Sequence, residues 1–191
     1  ENYLGFRYGA GMSTIYFLPH QEEKLVIAPV NAGIVYRNFV QKYVGTQVEL
    51  NYGQRGYSFM RMVDSSELEI TRKSHVIELP AMMQVRIFVT ENFKVLVNGI
   101  CYAACYLKNE ESYEQGGVNI TKEFTYDNMG GFELGVGGGL GLSYSFGRTD
   151  VILDGRYIAG LSFPVKPKPE CYESVAQQGI VSLSIVRRFG K

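Results

Sequence analysis

Residues 129–146, MGGFELGVGGGLGLSYSF, constrain the fold more than any other stretch. Read with a period of two, they place large apolar side chains on one face and mostly glycine and serine on the other. Glycine weakens a strand, so a row of glycines on one face indicates that bulky groups approach closely there. The row is Gly135, Gly137, Gly139 and Gly141. The pattern predicts a transmembrane β-strand with lipid outside and a crowded lumen inside.

The same alternation recurs along the chain and predicts eight strands. They cover residues 3–16, 29–39, 43–59, 75–89, 93–108, 129–146, 150–163 and 181–189. The connections alternate between long polar segments and short turns, an asymmetry typical of outer-membrane barrels, whose short turns are periplasmic. The sequence therefore predicts an all-β fold, a closed antiparallel up-and-down eight-stranded transmembrane β-barrel. Pro80 within the fourth strand predicts a bulge or local break.

Length and charge limit the alternatives. A chain of 191 residues suits one barrel domain over residues 1–191. With 19 Lys and Arg against 19 Asp and Glu, no nucleic acid is expected as a partner. No apolar run approaches the ~18 residues of a transmembrane helix, which does not exclude strands. The chain begins at Glu1 in strand-like sequence, so we expect that any export signal has been removed.

The three cysteines predict neither a disulfide nor a metal site. Cys101 and Cys105 lie four residues apart on one strand, about 13 Å, whereas a disulfide needs Cα atoms within about 7 Å. Cys171 lies in a Pro-rich loop. No metal-ligand spacing such as CxxC occurs, so the sequence predicts no metal and no cofactor.

Alternation alone does not say which face is inside, and a soluble lipocalin-like barrel would have the faces reversed. The apolar face carries several large side chains on every strand, too many for the narrow interior of an eight-stranded barrel. The aromatic residues at strand ends suggest two membrane girdles. The short-turn girdle would be Tyr3, Phe39, Tyr43, Phe93, Phe146 and Phe189, and the other Tyr16, Phe59, Phe132 and Phe163.

The polar face then forms a charged lumen. Its predicted network is Arg7, Arg37, Glu49, Glu78, Arg86, Glu133, Asp154 and Arg156. Buried charges must pair, and the glycines would give them room. One interpretation is a salt-bridged plug; the alternative is a narrow channel with Arg37, Arg86 and Arg156 as an anion-selective lining. The plug is favoured because side chains fill barrels of this size.

Several segments together resemble the PorT-like outer-membrane β-barrel family of Bacteroidetes-type bacteria. They are AGIVYRNFVQKYVGTQVELNYGQRG at 32–56, VIELPAMMQVRIF at 76–88, GVGGGLGLSYSFGR at 135–148 and the closing VRRFG. The resemblance implies location in the bacterial outer membrane, a cleaved export signal and insertion by the barrel-assembly machinery, with Phe189 as the assembly signal. One member is linked to secretion and gliding machinery, which makes a larger outer-membrane complex a candidate partner.

Catalysis has little support in the sequence. His20 and residues 64–66 fall in polar loops at the same rim, but no HxS pattern on a strand accompanies them. His75 is predicted to lie at the membrane interface. The loops at 109–128 and 164–170 are candidate binding surfaces. We therefore expect a non-catalytic structural or accessory barrel that presents loops to partners, with a channel, a lipid-modifying enzyme or a soluble ligand-binding barrel as alternatives.

Overall fold

The computed structural model of the protein describes residues 1–18, 23–63, 66–115, 118–123, 131–161 and 173–190. Nine β-strands run through these residues. They are β1 (Asn2–Leu18), β2 (Glu23–Asn38), β3 (Val44–Val63), β4 (Ser66–Phe88), β5 (Phe93–Gln115), β6 (Val118–Glu123), β7 (Phe132–Phe146), β8 (Thr149–Gly160) and β9 (Glu173–Phe189). No helix in this part of the chain is long and apolar enough to cross a membrane.

Eight of the strands form a closed ring. β1 to β5 pair in order with antiparallel neighbours, β5 then pairs with β7, and β8 and β9 follow. The ring closes where β9 pairs with β1, from Asn2 opposite Phe189 to Leu18 opposite Glu173. The predicted closed antiparallel eight-stranded barrel is therefore confirmed. β6 stands outside the ring and pairs with the far end of β5.

The two faces of the wall have opposite chemistry. Exposure alternates residue by residue along β7 and β8, as the strand pleat requires. The outward positions carry large apolar side chains such as Phe6, which is 72% exposed, and Leu140, which is 63% exposed. The inward positions at mid-strand carry polar and charged side chains such as Arg7 and Glu49, which are buried. This orientation excludes the soluble lipocalin-like alternative, in which the apolar face would line the interior.

Over the described residues, the wall is much taller on one side than on the other. β8 has 12 residues, whereas β4 and β5 have 23 each. Strands of about 9–11 residues suffice to span the hydrocarbon core. The difference between β8 and β4 corresponds to roughly 36 Å along the strand, at about 3.3 Å per residue. β3, β4, β5 and β6 therefore continue well beyond the membrane at the long-connection end.

This extension corrects two predictions. Residues 61–73 and 109–128 were expected to be polar loops. In the described parts of these ranges, however, β3 and β4 pair up to Val63 opposite Ser66, and β5 pairs with β6. Polar and charged side chains can alternate on a strand whose two faces both meet water, and cross-strand ion pairs then support the sheet. Arg72 of β4, for example, donates to Glu111 of β5 at 2.8 Å.

Pro80 causes less disturbance than expected. β4 keeps the same register against β3 on both sides of it, although the partners pass from Val48–Ala81 to Asn51–Glu78 with no pairs in between. Against β5, Pro80 lies opposite Tyr102 within a continuous ladder. The irregularity in that ladder falls between residues 75 and 76 instead. Pro80 thus interrupts pairing with one neighbour only, since its ring removes a single backbone donor.

Candidate functional site in the barrel lumen

The structure places all eight charged residues predicted for the lumen inside the barrel. Arg7, Arg37, Glu49, Glu78, Arg86, Glu133, Asp154 and Arg156 are each 7% exposed or less. Gly135, Gly137, Gly139 and Gly141 occupy inward positions of β7. Residues two apart on a strand share a face, so these positions follow directly from the alternation.

A guanidinium–carboxylate pair crosses the middle of the lumen. Nη1 and Nη2 of Arg156 donate to the two oxygens of Glu49 at 2.7 and 2.8 Å. Nε of Arg156 also donates to Asp154, its neighbour on the inward face of β8. Nη1 of Arg7 lies 3.5 Å from Glu49. Bidentate pairs of this kind are strong and directional, and because β3 and β8 lie on opposite sides of the ring, this pair connects two facing walls.

A second cluster lies nearer the long-connection end and is centred on Arg55. Its Nε and Nη2 donate to Glu78 at 2.9 and 2.7 Å, and its Nη1 donates to Glu133 at 2.7 Å. The hydroxyls of Tyr102 and Tyr106 also donate to Glu133, one to each carboxylate oxygen. Glu133 is fully buried, and these three donors compensate for its removal from water.

Amides connect these clusters to each other and to the short-turn end. Asn31 accepts from Arg7 and donates to Glu78 at 3.1 Å, so it links the two clusters. Gln84 accepts from Nε of Arg37 at 3.0 Å and donates to Asn98 at 2.8 Å and to Gln47 at 3.5 Å. Gln47 in turn donates to Glu49, so these amides join Arg37 to the central pair. The lumen therefore holds an extended polar network.

The prediction omitted several members of this network. Those not named are Arg55, Asn31, Gln84, Tyr102, Tyr106 and Asp150. A signal for Arg55 exists, since it continues the inward phase of β3 through Asn51 and Gly53. The predicted set was limited to charged residues in the middle of each strand, whereas Arg55 lies where β3 approaches the extension.

The short-turn end of the lumen is apolar and aromatic, which corrects the predicted girdle. Tyr3 and Phe39 are each 3% exposed and point inward, where they pack edge to face with ring centroids 6.4 Å apart. Both residues continue the inward-facing alternation of the wall. This alternation, and not their position near a strand end, decides which way their side chains point. They belong to a core cluster with Val35, Leu96, Ile152 and Val186. The predicted girdle residues Tyr43, Phe146 and Phe189, and Phe132 at the other rim, do face outward.

Cations at the short-turn end lie against aromatic rings. The guanidinium carbon of Arg86 is 3.9 Å from the ring centroid of Phe39 and 5.0 Å from that of Phe88. The guanidinium of Arg37 lies 5.1 Å from the centroid of Phe39, and its carboxylate neighbour, Asp150, is 4.0 Å away. Cation–π contacts of this kind stabilise a cation whose water has been removed.

The glycines of β7 accommodate different neighbours from those expected. A Cβ on Gly135 would collide with the ring of Tyr102, and one on Gly137 would collide with the backbone oxygen of Tyr157. Charged side chains are among the nearest neighbours at the other two positions, with Arg156 Cγ 3.1 Å from a Cβ on Gly139 and Asp154 Cβ 3.3 Å from one on Gly141. The space beside these glycines is thus occupied by the ring of Tyr102, by the backbone of the neighbouring strand β8 and by the aliphatic carbons of Arg156 and Asp154.

Little empty space remains beside the Arg55 cluster. The cavity next to Arg55, Tyr102 and Gln178 has a volume of about 20 Å³. A single water molecule needs about 10–15 Å³. A second apolar cluster fills one side of the lumen, and it consists of Met82, Ile100, Tyr102, Ala104, Ile158 and Ile180.

The residues considered for catalysis are mostly beyond the described ranges. His20, Asp64 and Ser65 lie outside them, as do the 164–170 loop, Cys171, the aromatic residues Phe124, Tyr126 and Phe163, and the side chains of Tyr16 and Phe59. His75 contacts the Tyr52 hydroxyl through Nδ1. Cys101 and Cys105 are free and exposed. Within the described residues, no group of three or more His, Cys, Asp or Glu could hold a metal ion.

A closed eight-stranded ring with an apolar exterior and a packed, ion-paired interior defines an integral β-barrel of the outer membrane. The comparison with protein families agrees. The chain belongs to the outer membrane protein beta-barrel domain family, whose model matches residues 3–162. The protein is therefore a bacterial outer-membrane protein, as the sequence predicted.

Solved outer-membrane barrels are similar to the chain at low sequence identity. The outer membrane protein OprG from Pseudomonas aeruginosa is 8% identical, with 100% of this chain and 96% of that chain covered, and gives a TM-score of 0.51. Neisserial surface protein A is 13% identical over 97% of both chains, with a TM-score of 0.47. Ail of Yersinia pestis is 13% identical over 97% of this chain and 99% of its own, also at 0.47. No curated protein matches the sequence significantly.

Proposed function

We propose that the protein is a closed, non-catalytic structural or accessory component of the outer membrane, whose external strands are recognised by a partner protein. The observation that carries the proposal is the unequal height of the wall. β3 to β6 continue past the end of β8 as an ordered sheet, which no membrane-spanning requirement explains.

Backbone pairing between β3, β4, β5 and β6 holds the extension together, and ion pairs lie across these strands. Lys108 of β5 contacts Glu123 of β6 at 2.6 Å and Glu110 of its own strand at 3.0 Å. Hydrogen bonding to Lys108 lowers the pKa of Glu110. Arg72 links β4 to β5 through Glu111. A charged surface on paired strands favours recognition, because a backbone already held in a sheet loses little conformational entropy on binding.

The packed lumen supports an accessory role over a channel. Arg37, Arg86 and Arg156, the residues of the anion-selective alternative, are all engaged by carboxylates, amides or aromatic rings. On the resemblance of its motifs, we propose that the protein is a PorT-like member of its family. Insertion by the barrel-assembly machinery, with Phe189 as the signal, and a place in a secretion, uptake or assembly complex belong to the same proposal.

Site-specific photo-crosslinking in native membranes tests this function. A photoreactive residue at Thr121, exposed on β6, should yield an adduct with one protein of defined mass. The same group at Phe6, which is 72% exposed on the lipid-facing wall, is the matched control and should yield no such adduct. Adducts that are absent from Thr121, or identical from both positions, would contradict the proposal.

A further inference from the structure

The short-turn rim is strongly basic, although the whole chain is neutral. Residues 1, 37–43, 86–94, 145–150 and 186–190 carry seven Arg or Lys and three Asp or Glu. Short turns of outer-membrane barrels face the periplasm, so this rim lies at the inner leaflet. Arg37, Arg86 and Lys94 are buried in the mouth of the barrel. The other four cations, Lys42, Arg148, Arg187 and Arg188, lie at the surface of this rim, where phospholipid headgroups meet the protein.

Several of these cations have partners at the mouth of the barrel. Arg86 donates to Glu1 at 2.8 Å, and Lys94 lies 3.8 Å from Asp150. Lys42 lies over the rings of Tyr43 and Phe88, 5.5 Å from each centroid. These cations are thus engaged by the protein itself.

Arg148 and Arg187 differ, because both are exposed and neither contacts a carboxylate among the described residues. They lie close together: Arg187 is directly opposite Thr149, the residue after Arg148. The backbone N–H of Arg188 donates to the carbonyl oxygen of Arg148 at 2.7 Å. The side chain of Arg188 reaches Glu1 at 3.0 Å. Three arginines therefore lie at one corner of the rim, and Glu1 engages one of them.

The surroundings of Arg187 point to a lipid. Its neighbour Val186 is fully buried, so Arg187 is in the outward phase of β9, opposite Leu4, which is 52% exposed. Phe146 and Phe189, at the same rim, are also exposed. An arginine on the lipid face is tolerated at the interface, where its head can reach phosphate, but is costly at the midplane.

We infer that Arg148 and Arg187 form a binding site for the phosphate of an anionic phospholipid headgroup in the inner leaflet. Guanidinium groups bind phosphate through paired N–H donors, and the aromatic residues beside them suit the boundary between headgroups and acyl chains. A zwitterionic headgroup would bind less well, because its own amine competes for the phosphate.

Binding of short-chain phosphatidylglycerol in mixed micelles, followed by native mass spectrometry, tests the site. Arg148→Gln/Arg187→Gln should reduce the apparent affinity about twenty-five-fold, because each of the two basic residues near an anionic surface contributes a factor of about five. Arg148→Lys/Arg187→Lys should bind with intermediate affinity, because the charges remain but the paired N–H donors of the guanidinium groups are lost. Folding of every variant is checked by the heat-dependent shift of the barrel on gels.

Lys73→Gln/Lys122→Gln removes two positive charges at the opposite end and is the matched control, expected to bind as the unmodified protein does. The inference would be overturned by unchanged affinity in the Arg148→Gln/Arg187→Gln variant, or by an equal loss in the control. Equal binding of phosphatidylcholine would also overturn it. Displacement of the lipid by inorganic phosphate at equal concentration would overturn it as well, since it would show a site for free anions.

Discussion

The two ends of the lumen are filled by different chemistry. From the middle to the long-connection end, arginines pair with carboxylates, as Arg156 does with Glu49 and Arg55 with Glu133. At the short-turn end, Tyr3 and Phe39 form an apolar plug. There Arg37 and Arg86 lie against aromatic rings as well as near a carboxylate, Asp150 and Glu1 respectively. A narrow barrel can therefore bury cations by pairing them with carboxylates alone or by combining such pairs with contacts to aromatic rings.

The largest effect should follow from breaking the central pair. Glu49→Gln would leave Arg156 and Arg7 without their shared carboxylate, and we expect a loss of about 3–5 kcal/mol in the free energy of unfolding. Urea titration in detergent or lipid measures it. Ser143→Ala is the control, since the buried Ser143 hydroxyl has no partner among the described residues. A Glu49→Gln variant as stable as the control would contradict the pairing.

Filling the glycine row should be the next most damaging change. Gly135→Leu would drive a side chain into the ring of Tyr102, Gly137→Leu into Ile158, and Gly139→Leu into the stem of Arg156. Overpacking of this kind costs about 1–3 kcal/mol. The unfolding temperature on gels should fall, and most for Gly135→Leu. Val136→Leu on the lipid face should have little effect; equal tolerance on both faces would mean that the strand is inside out.

The aromatic end is tested by Phe39→Leu, which keeps an apolar side chain but removes the ring beside Arg86. We expect a loss of about 1–2 kcal/mol, because cation–π contacts contribute about that much when desolvated. The outward Phe146→Leu gives the comparison. If the two variants unfold at the same urea concentration, the ring does not stabilise the cation.

The smallest effect concerns Glu1 at the periplasmic mouth. Burial opposes its ionisation, but hydrogen bonds from Arg86 and Arg188 and the charge of Arg86 lower its pKa below the ordinary value of 4.5. A carboxylate with a lowered pKa stabilises the folded state above that ordinary value, and the contribution is lost as the pH falls through the folded pKa. Glu1→Gln should therefore be less stable than the unmodified protein at pH 7 in a urea titration. If Glu1→Gln remained less stable than the unmodified protein by the same amount in strong acid, the stabilising role of the ionised Glu1 carboxylate would be contradicted.

Alternation was sufficient to predict the barrel and the burial of its charges, because a strand has only two faces and a lipid-facing wall must be apolar. It did not predict the extension, since polar strands beyond the membrane lack an apolar face and resemble loops. Nor did it predict which groups meet. Gly135 was expected beside a charged side chain but accommodates Tyr102, because that contact depends on the register between β5 and β7.

The central claim is that the lumen is closed by its own side chains. Planar-bilayer recording of the purified, folded protein tests it most directly, with a porin as the positive control for insertion. We predict no steady conductance at neutral pH, because Arg156, Glu49 and their neighbours cross the lumen in fixed pairs. A large, steady conductance in the unmodified protein would contradict the closed lumen and favour a channel.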